Sequence, residues 1–341
     1  ESAMVDYRWN WDHLQGFYLP LLFLYRIFGP ITFLGQIIPV FAGAITAMAI
    51  TLILLKYTKI TTAFYAGILF AVYPSQVLWS SLVLRDSLIW MTLSLICLTL
   101  QKWDESKDKN HFLRYGVFLS LLVIYLSSVR SHTMLVACIA LLIAVTWKSK
   151  IFTIAKIFLL ATLFVFVPYL ADIGLAGHNL FEFVADGMSS FRQKNALGNL
   201  AIADPFSDHR LADLFYLPIG LKVMLLDPLP HQLQMNFKII LAFCENLLWY
   251  PTLIFSIYGI FTLRKKMRLE TFFLIFCNAG LIVMWSIFDG NFGTAFRHRS
   301  EFIWSTIIFA AIGIENWLQK KYEQKKTEPT HSIENTIPEV L

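Results

Sequence analysis

Arg297 and Arg299 stand two residues apart with His298 between them, in the run Asn291-Phe292-Gly293-Thr294-Ala295-Phe296-Arg297-His298-Arg299. Two guanidiniums and an imidazole form a donor set suited to phosphate, because each guanidinium offers a planar fork that meets two anionic oxygens at once. Arg85 and Asp86 close a second stretch, Tyr73-Pro74-Ser75-Gln76-Val77-Leu78-Trp79-Ser80-Ser81-Leu82-Val83-Leu84-Arg85-Asp86. Arg130 and His132 make a third basic pair. Each has a plain alternative: an ion pair that fixes a helix end, or a basic side chain snorkelling to an interface. Four carboxylates are candidates for general-base work on a hydroxyl: Asp6, Asp12, Asp86 and Glu245. Glu245 lies about two turns into the apolar run from Phe237 to Leu263. A carboxylate there is expensive, so it marks either function or a buried basic partner. His178, His209 and His231 match no metal-ligand spacing. Cys97, Cys138, Cys244 and Cys277 fall singly inside apolar runs. The expectation is therefore no metal, no disulfide framework and no cofactor.

Those side chains need a scaffold, and composition describes it. The chain has 341 residues, 57% of them hydrophobic and 15% charged, with 30 Phe and 10 Trp. Ordinary globular domains carry roughly 25% charged residues. The reading is an all-α, polytopic transmembrane helical bundle. The net charge of +5 reflects basic residues in short loops and calls for no nucleic-acid partner.

About nine hydrophobic spans follow from the pattern, at 31–55, 62–83, 87–101, 112–128, 132–147, 151–170, 237–263, 271–288 and 302–317. A crossing helix needs roughly 20 apolar residues, so the third, fifth and ninth spans are short. Alternate loops concentrate Lys and Arg at 56–59, 102–114, 148–150, 264–268 and 320–326. Positive loops mark the cytoplasmic side, which places the C-terminus in the cytoplasm and every candidate above outside. The expected organisation is an extracytoplasmic interfacial segment (1–30), helices (31–170), an extracytoplasmic loop with an amphipathic helix (171–236), helices again (237–317) and a disordered cytoplasmic tail (318–341). An odd number of spans sets Glu1 outside, and a further helix upstream of Glu1 is the simplest expectation.

Three segments carry a resemblance. Gly16-Phe17-Tyr18-Leu19-Pro20 through Arg26-Ile27-Phe28-Gly29-Pro30, the Tyr73-to-Asp86 segment, and Phe296-Arg297-His298-Arg299 before the last span are similar to parts of bacterial GT-C-type membrane glycosyltransferases. That group includes the protein O-mannosyltransferases and the lipid A aminoarabinose transferases. The resemblance implies an enzyme of the bacterial inner membrane. It would move a sugar from a polyprenyl-phosphate donor to a glycan, lipid or protein acceptor on the outer face, among membrane lipids. An acid of the first outer loop would be the base, either Asp6 or a residue upstream of Glu1. Arg85, Arg130, His132, Arg297, His298 and Arg299 would hold the donor phosphate. Two other readings stand beside it. A polysaccharide polymerase or ligase acting on polyprenyl-diphosphate glycans would use the same arginines. A transporter or lipid flippase would place charges near the bilayer midplane, where only Glu245 and Lys156 are candidates.

Overall fold

The computed structural model describes residues 15–106, 109–148, 192–193, 196, 201–202, 213–232 and 237–327. Eleven α-helices fill these segments: α1 (Gln15–Phe28), α2 (Thr32–Leu54), α3 (Ile60–Val72), α4 (Pro74–Ser81), α5 (Asp86–Glu105), α6 (Lys109–Val129), α7 (Ser131–Lys148), α8 (Asp213–Leu226), α9 (Phe237–Leu263), α10 (Leu269–Phe288) and α11 (Phe292–Thr327). Among the described residues the one extended pairing is an isolated bridge between Ala201 and Asn291. The all-α expectation agrees with this architecture.

Helix ends follow the local sequence. Gly29 takes a positive φ of 85° after α1, and its N–H donates to the Tyr25 carbonyl, closing the helix as only glycine does without strain. Pro74 opens α4 at its first turn, where a missing N–H costs nothing. Because proline disfavours helical geometry in the residue before it, Tyr73 is extended and α3 and α4 meet at 54°.

The number of spans differs from the sequence reading. Three helices among the described residues are long and apolar enough to cross a membrane: Thr32–Leu54, Ile239–Leu263 and Leu269–Phe288. The bent pair α3–α4 makes a fourth if it counts as one span. This corrects the nine-span polytopic bundle, and with it the multi-pass topology and inner-membrane localisation built on it. The reason lies in packing. A helix that is apolar all round fits a protein core as well as a bilayer, and several of the assigned runs are core. Leu88, Ile89, Trp90, Leu93, Ile96, Cys97 and Leu100 of α5 are all buried, as is the stretch from Phe302 to Ile312 in α11. The apolar parts of α1, α6, α7 and α8 fall short of crossing length. The run at 151–170 lies outside the described residues.

The core is organised on α5 and α11. α5 packs against α2, α6, α10 and α11, while α9 and α11 form the most extensive helix pair. The latter two run parallel: Trp249 meets Phe302, Gly259 meets Phe309 and Gly313, and Asn316 donates to Thr262. Outward faces of α2 and α3 expose Phe33, Phe41, Ile60, Phe64 and Tyr65. Contiguous apolar surface of this kind requires a cover of lipid or protein. α11 continues to Thr327, well into the tail expected to be disordered from 318.

Candidate functional site

Asp86 sits in the first turn of α5 and is fully buried. A helix N-terminus favours negative charge, but burial demands explicit partners. They come from two other elements. Arg297, in the second turn of α11, donates from Nε to both carboxylate oxygens at 3.1 and 3.0 Å, and from Nη2 to Oδ2 at 2.6 Å. Arg130, in the break between α6 and α7, reaches Asp86 Oδ1 from Nη2 at 3.4 Å. Its Nη1 bonds Glu301, and the Thr133 hydroxyl donates to the other Glu301 oxygen at 2.9 Å. Arg297 and Glu301 stand one helical turn apart, which puts them on one face of α11. The network therefore ties the start of α5, the α6–α7 break and the start of α11 into one knot.

Electrostatics follow from that arrangement. Burial alone would push the Asp86 carboxyl up, but the Arg130 and Arg297 guanidiniums hold it below the usual carboxylate range. Burial would likewise lower Arg130, yet Glu301 and Asp86 raise it. Arg85 is different. Its Nη1 donates to the main-chain carbonyl of Val129 at 3.0 Å, and among the described residues no carboxylate forms an ion pair with it. Burial first, then the like charge of Arg130, lowers its pKa despite the neighbouring Asp86.

Aromatic rings line the rim. The Arg297 guanidinium lies 5.8 Å from the Trp79 ring centre. His298 stacks on Trp285 at 3.6 Å and 13°, and Arg130 lies 5.6 Å from the same indole. The imidazole Nδ1 meets the two Asp289 carboxylate oxygens at 2.9 and 3.0 Å. A carboxylate only accepts, so that nitrogen carries the hydrogen. His132 is the outer neighbour of Trp285, with ring centres 6.4 Å apart. Both indole N–H groups, of Trp79 and of Trp285, are buried without an acceptor.

The structure thus brings Arg85, Asp86, Arg130, Arg297 and His298 together, with His132 at the edge. It separates Arg299 and Glu245 from them. Residues 292–299 are the first turns of α11, where a loop was expected. Two residues along a helix turn the side chain by about 200°, so Arg297 and Arg299 leave opposite faces. Arg299 is fully buried and donates to the carbonyls of Met224, Val223 and Asp227 and to Asn246 Oδ1. It clamps α8 and the turn after it onto α9. Glu245 accepts the Ser75 N–H at 2.6 Å, at the N-terminus of α4. Asp6 and Asp12 lie outside the described residues. Sequence reasoning missed Glu301, Asp289, Trp79 and Trp285. Glu301 alone had a readable signal, its four-residue spacing from Arg297.

For Asp86 the general-base reading does not survive this geometry. Asp86 is a spent carboxylate, locked to two guanidiniums and held acidic, whereas a general base needs a pKa near the working pH. Among the described residues no group of three or more His, Cys, Asp or Glu side chains is placed to hold a metal ion. No protein-family model matches the chain, no curated protein does, and no solved structure does. Together with only three or four membrane-length helices among the described residues, which hold eight of the nine expected spans, these findings overturn the resemblance to GT-C glycosyltransferases and the transferase activity it implied. The polymerase, ligase and flippase alternatives rested on the same nine-span frame and fall with it.

Proposed function

We propose that this chain is a binding protein that holds the phosphate head group of an amphiphile at the Arg85–Arg297 face. The observation that carries this reading is Arg85. Asp86 and Glu301 are taken up by Arg130 and Arg297, and Asp289 by His298. Arg85 is left, half-buried, with a backbone carbonyl. An anion bridging Arg85 and the partly exposed Arg297 would relieve the like-charge repulsion between them. A phosphate only accepts hydrogen bonds, and so suits a rim that also offers two unpaired indole N–H groups. Val77 and Leu82, on the segment that leads to Arg85, are exposed, as a path for a hydrocarbon chain requires.

The test uses the full chain in detergent, with binding read by Trp fluorescence. Probes are inorganic phosphate, phosphatidic acid and the uncharged diacylglycerol. Saturable binding of phosphatidic acid but not diacylglycerol is expected. Arg85→Gln should weaken it about tenfold or more, the worth of one charge-assisted hydrogen bond. Arg85 is the preferred site because it leaves the Asp86 network intact. Equal binding by wild type and Arg85→Gln would overturn the proposal. Equal affinity for inorganic phosphate would retain the anion site and remove the amphiphile.

A further inference from the structure

A second polar cluster lies apart from the arginine site, at the break between α3 and α4. Tyr73, Ser75, Gln76 and Glu245 are all at least nine-tenths buried. Each keeps one side-chain oxygen without a hydrogen-bond partner: Tyr73 Oη, Ser75 Oγ, Gln76 Oε1 and Glu245 Oε1. Tyr73, Ser75 and Gln76 come from the same turn of chain, and Glu245 of α9 meets it at Ser75. Glu245 Oε2 accepts the Ser75 N–H at 2.6 Å, Gln76 is the next residue along α4, and the Glu245 carboxylate acts electrostatically on the Tyr73 phenol. Gln76 Nε2 is directed at the Ser300 carbonyl at 3.4 Å, so its amide oxygen is the end left over. Unpartnered buried oxygens on three side chains, together with the free oxygen of a buried carboxylate, carry a desolvation cost that a natural fold rarely leaves unanswered.

The nearest cation does not answer it. Arg299 is within electrostatic reach of Glu245, but its recorded hydrogen bonds go to three carbonyls and to Asn246. Asp227 and Tyr250 also act on that guanidinium, but Asp227 faces Lys222 at 3.6 Å and Gln232 at 3.1 Å. Tyr250 donates to the Leu226 carbonyl at 2.6 Å. None of these groups supplies a hydrogen bond to Glu245 Oε1.

We propose that Glu245, with the oxygens of Tyr73, Ser75 and Gln76, forms a binding site for a monovalent cation such as sodium. The donor set is all oxygen, which suits a hard cation. It holds a single carboxylate, and the neighbouring Arg299 charge opposes any larger positive charge, so the set is matched to one charge rather than two. The site joins α3–α4 to α9, so cation binding tightens the contact between these elements.

The experiment is thermal unfolding of the full chain in detergent, followed by Trp fluorescence, titrated with NaCl against choline chloride at equal ionic strength. The melting temperature should rise with sodium and not with choline. Glu245→Gln keeps the shape and removes the charge; its apparent sodium affinity should fall at least tenfold. Ser75→Ala is the second variant, expected to weaken sodium several-fold should the first fail to fold. Arg85→Gln should leave the sodium response unchanged, which separates this site from the phosphate site. A response identical for sodium and choline would overturn the proposal. So would a sodium response that persists in both variants, or stabilisation of wild type by acid alone, which would make the occupant a proton.

Discussion

Asp86 shows what a single buried charge does in this protein. Its carboxylate is the centre on which Arg130 and Arg297 converge. Replacing it with Asn leaves the buried Arg130 and the partly buried Arg297 with Glu301 as their one remaining carboxylate among the described residues. Asp86→Asn should therefore cost about 3–5 kcal/mol, the range for breaking a buried ion pair from one side, measured by denaturant unfolding. The pH dependence follows from the same contacts. The folded carboxyl titrates below its ordinary value, so it contributes stability above the unfolded value of about 3.9. That contribution is lost as pH falls through the lowered folded value. Wild type should lose stability on that acid limb more steeply than Asp86→Asn. An equal slope in both proteins would mean that another carboxylate governs it.

Helix pairs decide where these residues meet, and the α9–α11 contact is one of the tightest of them. A Cβ built on Gly259 would come within 1.9 Å of the Phe309 carbonyl oxygen. Side chains cannot be accommodated there without parting the helices, so Gly259→Ala should destabilise by about 1–3 kcal/mol. Gly43→Ala on α2 is the contrasting case, since its Cβ would meet Ser80 at 3.5 Å, an ordinary contact. There the better helix propensity of alanine should leave stability equal or raised by up to about 1 kcal/mol. Comparable losses at both positions would show that the α9–α11 approach is looser than its geometry. The turn from a supposed loop to helix at 292–299 belongs to this scale too. It sends Arg297 into the knot at α5 and Arg299 into the α8–α9 junction.

Across the whole molecule, buried charge gathers at two opposite ends of the helix bundle. One end holds the Asp86 knot. At the other, Lys56 bridges Glu105 at 2.9 Å and Glu270 at 3.0 Å, and Tyr57 bonds Glu270. α5 links them, with Asp86 opening it and Glu105 closing it. Twenty residues at 1.5 Å each separate the two by about 30 Å. Sites that far apart without shared partners act independently. The double variant Asp86→Asn/Glu270→Gln should lose the sum of the single losses to within about 0.5 kcal/mol. A larger discrepancy would show that α5 transmits strain from one knot to the other.

Sequence alone determined the helical class of the chain, since long apolar runs punctuated by Gly29-Pro30 and Pro74 admit helices and breaks at those places. It also picked out Arg85, Asp86, Arg130 and Arg297 as unusual charges flanking apolar segments, and these four meet. Tertiary structure decided the rest. Whether an apolar run faces lipid or other helices is not written in its hydropathy, because Leu93 and Ile96 of α5 are as greasy in a core as in a bilayer. That is why, among the described residues, the expected runs reduced to three or four membrane-length helices. Nor does a two-residue spacing say whether Arg297 and Arg299 act together; helical twist drives them apart, and only the position of α5 on one side and α8 on the other gives each its partners. Glu245 is the sharpest case. Its cost was legible from its place in the seventh run, but the oxygens around it come from a break some 170 residues earlier in the chain, which only folding brings beside it.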